Sequence, residues 1–244
     1  MITLKETSWS SLNTYRSCPR KWHYSYVSDV PKEFEPVSLR YGSGVHSACE
    51  AYFKGLKRGQ KLTAFNMARV VVNTMEEPDI RYGVTTKSEL IEMANRFFQE
   101  LTTMAPPADI IEVEKEHTYD LAPDFKLLMK IDLLTKDANG NLVVTDFKTS
   151  SKRMNGDAAT SGQMSAYSLL YPQAKLRFVV FLKTKKGGID EVFTERTHAQ
   201  RVQIIRDFCE FKKEVENPDN PFIRIPSWAC KSCQFQTHCQ GGCQ

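Results

Sequence analysis

Apolar positions change their spacing once along this chain, near Pro106-Pro107, and the change separates two kinds of predicted structure. Before the prolines they recur three and four residues apart, the period of a helix with one buried face. Ser8 to Val27 reads as two short helices, with Pro19 suited to the first turn of the second. From Ser38 to Met104 the spacing predicts three more. Thr86 and Glu89 open the last with a capping-box spacing, ahead of Leu90, Met93, Ala94, Phe97 and Phe98 on one face. After the prolines the period shortens to two. Residues 110–121, 125–136, 142–149, 176–183 and 189–196 are predicted strands, with a helix over 158–170 and a long one after Thr197 to about Val215. Helices followed by a helix-crossed sheet predict an α/β fold, a mixed central sheet flanked by helices.

Asn139-Gly140 marks a turn between the second and third strands. A two-residue loop would pair Ala138 with Asn141 and set Asp132 opposite Phe147. A three-residue loop with Gly140 left-handed pairs Asp137 with Asn141 instead. Asp132 then opposes Asp146 and Leu134 opposes Val144. The other face becomes continuously apolar through Phe125, Leu127, Met129, Ile131 and Leu133, with Ile131 opposite Phe147. Burial of one face requires the second register.

Asp146 and Lys148, two apart on a strand, share a face. Two facing carboxylates beside an ammonium repel unless a cation lies between them. Mg2+ or Mn2+ fits, held by the Asp132 and Asp146 oxygens and the Phe147 carbonyl. Such an ion activates water and polarises a phosphate, with Lys148 offsetting developing negative charge. A surface salt bridge at Lys148 is the plainer alternative.

Asp132, then Asp146-Phe147-Lys148, then Gln163-x3-Tyr167 resembles the RecB-like branch of the PD-(D/E)XK nuclease superfamily. Gly42-x3-His46 resembles that branch's early motif, and Glu114 its acid on the preceding strand, although Glu116 shares the same strand face. Met129 stands where the family often has glycine. Ser10 through Cys18-Pro19, with Cys230, Cys233 and Cys239, resembles the iron–sulfur members, which include CRISPR-associated exonucleases and AddB-type nuclease domains. The resemblance implies a restriction-endonuclease-like core. It makes His46, Asp132 and Asp146 metal ligands, Lys148 and Glu114 catalytic, and Gln163 and Tyr167 substrate-positioning. It also implies DNA, single-stranded or with unwound ends, as the partner. CRISPR, repair or phage recombination proteins would then be candidate further partners.

The C-x2-C-x5-C tail is too short to make its own core, and soft thiolates there suit an iron–sulfur cluster or zinc. The resemblance names Cys18 as fourth ligand of a 4Fe-4S cluster joining the termini; Cys243 is the alternative and would complete a zinc knuckle. A redox pair at Cys230 and Cys233 lacks the βαβ setting such a motif needs. Cys49 and Cys209, inside predicted helices, read as buried thiols. The expected organisation is one nuclease domain over 1–244. Within it lie a helical lobe (28–104), a nuclease core (108–197) and a cluster segment (Cys18 with 226–243).

Composition adds little. The length of 244 residues and 41% hydrophobic content allow one sizeable core. No apolar run approaches the roughly 20 residues that span a bilayer, and residues 1–9 have no apolar signal core. Both point to the cytoplasm, where clustered thiols stay reduced. The net charge of +4 is a weak pointer to a polyanion. Lys148, Lys152, Arg153, Lys183, Lys185, Lys186, Arg20 and Lys21 are candidate phosphate contacts, with a solvated charged surface as the alternative; Trp22, Tyr24 and Tyr26 are candidates for base stacking, with packing of the helical lobe the favoured reading for some of them. The expected function is a metal-dependent DNA exonuclease with a structural cluster. The alternatives are a non-catalytic DNA-binding or scaffold subunit, or a zinc-knuckle binding module.

Overall fold

A computed structural model describes residues 2–76, 79–83, 85–154, 156–184 and 186–239. Cys243 and Lys185 lie outside the described residues. Along the chain come β1 (Glu6–Ser8), α1 (Trp9–Ser17), α2 (Pro19–Tyr26), β2 (Glu35–Pro36), α3 (Val37–Lys57), α4 (Ala64–Thr74), β3 (Ile80–Arg81) and α5 (Lys87–Thr103). There follow β4 (Asp109–Ala122), β5 (Phe125–Lys136), β6 (Leu142–Ser150), α6 (Asp157–Thr160), α7 (Gly162–Leu170), β7 (Lys175–Leu182), β8 (Ile189–Thr194) and α8 (His198–Glu216). A short 3-10 turn spans Trp228–Ser232. The strands form a mixed sheet ordered β1-β5-β6-β7-β8, with β4 also pairing β5. The chain divides into two compact units, one of Pro36–Glu116 and Lys130–Arg196, the other of the residues up to Glu35, His117–Met129 and those from Thr197 on.

In the first unit α3 packs on β6 and α5 on β8, and α4 packs against both helices. Thr86 and Glu89 do form the capping box of α5, and its apolar stripe delivers Phe97 and Phe98 to the Phe181 ring. Phe53 of α3 stacks on Phe147 of β6 at 5.7 Å between centroids. Gly44 permits the close approach of α3 to α4, since a Cβ there would sit 2.5 Å from Thr74 Oγ1 and 3.2 Å from Val71 Cα.

The hairpin takes the three-residue register. Leu134 pairs with Val144 and Leu133 with Thr145. Asp137 N–H donates to Asn141 O at 2.9 Å, and Gly140 has φ of 83°. The Asp137 carboxylate stiffens the loop by accepting from the Asn139 and Asn141 amides. Beyond it, β6 and β7 run parallel while β7 and β8 are antiparallel.

One predicted helix is two. Ser161 breaks residues 158–170 by taking an extended conformation and capping α7 with its hydroxyl, which accepts from Met164 N–H. The carbonyls of Ala158 and Ser161 also accept from the buried Arg196 guanidinium at 2.6 and 3.0 Å, and Ser165 Oγ accepts from its Nε at 2.9 Å. Arg196, a missed residue in the sequence reading, thereby fixes the start of α7.

The second unit centres on aromatics. Trp22 is buried, donates to Ser11 Oγ at 2.8 Å, and meets Tyr15 and Phe211 edge-on. It is therefore a core residue, not a stacking platform for bases. Strand β1 runs parallel to the start of β5. The tail is tied to the N-terminal segment: Glu33 N–H donates to Gln234 O, Gln234 Nε2 to Phe34 O, and Tyr24 Oη to His238 O, each at 3.0 Å. Cys49 is buried as expected, whereas Cys209 is half-exposed. Among the described residues no helix is long and apolar enough to cross a membrane.

Replacing Gly44 with Ala should lower stability by about 1–2 kcal/mol, read as a fall in the urea midpoint, because overpacking outweighs the gain in helix propensity. Adding Thr74→Ala in the same chain should shrink that loss, since it removes the nearest clashing atom.

Candidate metal centre

Strands β5 and β6 part just after the Leu133–Thr145 pair. Asp137–Asn141 is a hydrogen-bonded pair, so alternation along an antiparallel ladder would make Ile131–Phe147 another. The Phe147 N–H donates instead to Asp132 Oδ2 at 2.8 Å. The Asp132 side chain thus fills the place of the β5 backbone, in the mouth of the opening strands. A strand residue's carbonyl points to the same side as its N–H, which directs the Phe147 carbonyl into the same mouth.

Three elements converge there. His46, from α3, rests edge-on against the Phe147 ring at 6.4 Å between centroids. Its Nδ1 lies 3.3 Å from Asp132 Oδ2 and 3.9 Å from Glu114 Oε1. Glu114, on β4, has a φ of 52°, a left-handed conformation that is costly for a side-chain-bearing residue in a strand. That local twist aims Glu114 inward, while Glu116 stays exposed. His46, Glu114 and Asp132 each offer a ligand atom within 4.8 Å of the other two.

Asp146 is almost fully buried beside this group. Its Oδ1 accepts from Gln163 Nε2 at 2.7 Å and Tyr167 Oη at 3.3 Å. Its Oδ2 is ion-paired with Lys148 Nζ at 2.8 Å and has no other polar partner among the described residues. Lys148 Nζ donates to Gln163 Oε1 at 2.8 Å. Gln163 and Tyr167 share a face of α7 as their spacing predicts, 2.8 Å apart. Tyr167 Oη also reaches Lys130 O at 2.9 Å. The arrangement therefore brings all the predicted residues together in two linked sets: His46, Glu114 and Asp132 on one side; Asp146, Lys148, Gln163 and Tyr167 on the other.

Lys130 is an addition. Its ammonium pairs with Glu114 Oε2 at 2.6 Å. Its position two residues before Asp132, on the same strand face, was the signal available in the sequence.

Titration reflects the crowding. Burial pushes the Asp146 carboxyl up to about 6, with Lys148 pulling it down and Asp132 raising it further. Burial alone would lower His46, but hydrogen bonds to Asp132 and Glu114 outweigh it and bring the imidazole to about 10. Burial also raises Glu114, yet His46 and Lys130 hold it below the usual carboxylate range. A convergent set of one imidazole and two carboxylates, beside a third, buried carboxylate, fits a divalent cation.

The thiols are spaced differently. Burial raises the Cys233 thiol, the Phe235 amide and Lys21 oppose this, and Cys18 and Cys230 raise it further, so all three sulfurs share one neighbourhood. Among the described residues no three cysteines come within 4.8 Å of one another. One tetrahedral zinc, at about 2.3 Å from each sulfur, would need sulfurs roughly 3.8 Å apart. Of the basic candidates, Arg153 is committed to Asp190 at 2.7 Å, and Lys186 is exposed.

The model of the PD-(D/E)XK nuclease superfamily matches residues 6–240. Comparison with curated proteins gives no match. Among solved structures, the chain named "Putative exonuclease" from Eubacterium rectale is 10% identical, with a TM-score of 0.52 over 87% of this chain and 82% of that one. SSO0001 is 18% identical with a TM-score of 0.41, covering 96% and 95%.

His46 must lose its proton to bind a cation, so Mn2+ should raise the melting temperature more at pH 8.5 than at pH 6.5. In EDTA the sign reverses. With the folded pKa above the unfolded one, the stabilising contribution of His46 is complete below about 6.5 and declines as pH rises towards about 10. Thermal melts of wild type and His46→Asn across this range check both slopes; the variant should lose them.

Proposed function

Because the chain belongs to the PD-(D/E)XK nuclease superfamily, we propose that it hydrolyses phosphodiester bonds in DNA, as an exonuclease of the RecB-like branch. The observation that carries this reading is the convergence of His46, Glu114 and Asp132, whose ligand atoms lie within 4.8 Å of one another, beside the buried Asp146 carboxylate. These four residues, with the Phe147 carbonyl, would hold the cation. Bound there, Mg2+ or Mn2+ supplies a Lewis acid for the phosphate and lowers the pKa of the attacking water.

The chain's own groups have separable tasks. Lys148, held between Asp146 and Gln163, presents a fixed ammonium that orients the water and offsets charge developing on the phosphate. Gln163 donates to Asp146 and accepts from Lys148, so one amide sets the direction of both. Tyr167 anchors Asp146 to the β5 backbone through Lys130 O. Lys130 keeps Glu114 ionised and turned inward. The cost of gathering these buried charges is offset when a cation joins them.

The second part of the reading is a 4Fe-4S cluster on Cys18, Cys230, Cys233 and Cys239. The Cys18, Cys230 and Cys233 thiols lie near enough to influence one another electrostatically, which supports a shared ligand at these residues. The cluster would fasten the tail beside the hydrogen bonds from Glu33, Gln234 and Tyr24.

Protein purified without oxygen should degrade end-labelled DNA with Mn2+ or Mg2+ and stop in EDTA. Lys148→Ala should lower the rate by about 10²–10⁴-fold while leaving the fold intact. Equal activity in that variant contradicts the assignment. Iron and sulfide analysis should find about four of each per chain, with both lost in Cys233→Ser; one zinc and no sulfide would rule out the cluster.

A further inference from the structure

The candidate metal centre opens into a cleft of about 640 Å³ whose walls include Ser43 and Ser47 of α3, Thr149 of β6 and Lys183. Lys183 is the first residue beyond β7, and its N–H donates to Ser150 O at 2.6 Å, which fixes its backbone against the end of β6. The parallel register pairs Lys148 with Val180 and Thr149 with Phe181. Alternation along the strands therefore sets Lys183 on the face of Phe147 and Thr149, and Lys148 on the opposite face. The two lysines flank the end of β6 from different sides.

Their surroundings differ. The Lys148 ammonium is already engaged by Asp146 and Gln163. Lys183 is half-buried, and among the described residues its side chain makes no ion pair and no hydrogen bond. Burial lowers its pKa, as expected of a cation without a balancing anion. Partial burial of an unpaired charge costs stability, and an anion entering the cleft removes that cost. The Thr149 hydroxyl is likewise without a hydrogen bond among the described residues. A Cβ on Gly42 would meet it at 3.6 Å, so the glycine leaves this hydroxyl uncovered on the α3 side.

We propose that Lys183 and the Thr149 hydroxyl, beneath Gly42, form a second phosphate subsite that grips the DNA backbone beside the phosphodiester being cut. The subsite rests on the nuclease reading for its ligand, and its role is positioning: it fixes where along the strand the cleavable bond lies. Lys183 supplies the charge and Thr149 a neutral donor, a pair suited to one phosphate.

Equilibrium binding tests this independently of cutting. A labelled single-stranded oligonucleotide is titrated by fluorescence anisotropy with Mn2+ present, using chains that carry Lys148→Ala so that the probe survives. Lys183→Met should weaken binding about tenfold at 100 mM salt. It should also reduce the slope of log affinity against log salt by about 0.7, the value for one phosphate contact on a single strand. Lys183→Arg should restore both, and Gly42→Ala should weaken binding while leaving the slope unchanged. A Lys183→Met chain with the parent's affinity and salt slope overturns the subsite. So does one whose melting temperature falls while the slope stays the same, because that marks a structural lysine. A wild-type chain that cuts no DNA, yet shows the slope change, defeats the nuclease reading alone.

Discussion

The separation of β5 from β6 after Leu133 and Thr145 is the constraint on which the site depends. Had the ladder continued, the Phe147 amide and carbonyl would have been consumed by Ile131. The Asp132 carboxylate would then have lain flat on a closed sheet. Because the strands part, Asp132 caps the Phe147 N–H and its second oxygen is left for other partners. Phe147 itself cannot swing away, since its ring is packed between Phe53, Phe181 and His46. Aromatic packing on one face therefore holds the backbone that a charged group uses at the strand edge. A scaffold of this kind keeps polar atoms in place without asking them to stabilise the fold.

Charge balance follows from that opening. Asp132, Asp146 and Glu114 meet in a partly enclosed space where mutual repulsion is strong. Each has acquired a local counterpart: His46 for Asp132, Lys148 for Asp146, Lys130 for Glu114. The balance is incomplete at Asp146, whose burial still raises its carboxyl to about 6 despite the Lys148 ammonium 2.8 Å from its Oδ2. Incomplete compensation is what a cation-binding site requires before its ion arrives, because full pairing would leave no electrostatic gain on binding. The left-handed backbone at Glu114 belongs to the same economy of position, since an ordinary strand conformation would aim this side chain elsewhere.

Much of this was legible in the residues. The two-residue alternation from Phe125 to Leu133 and the Asn139-Gly140 turn together admit one register, and the ladder follows it as far as the Leu133–Thr145 pair. The i, i+4 spacing of Gln163 and Tyr167 was sufficient to place them on one side of α7. Other features depended on tertiary contacts. Choosing Glu114 over Glu116 needed a backbone twist that no local pattern encodes. The break at Ser161 is braced by Arg196, more than thirty residues away, which donates to the Ala158 and Ser161 carbonyls. Trp22 had the composition of a base-stacking surface and the surroundings of a core, and only its contacts with Tyr15 and Phe211 separate the two. Lys130 carried a visible position but no visible purpose until Glu114 was placed.

The central claim is that the mouth between β5 and β6 is a cation site. Anomalous diffraction from crystals soaked in Mn2+ tests it most directly. The account predicts a manganese peak bounded by His46 Nδ1, the Glu114 and Asp132 carboxylates and Asp146 Oδ2, with the Lys148 ammonium outside the coordination sphere. A map with Mn2+ bound only elsewhere on the protein, and those four side chains still held by their present partners, would contradict it.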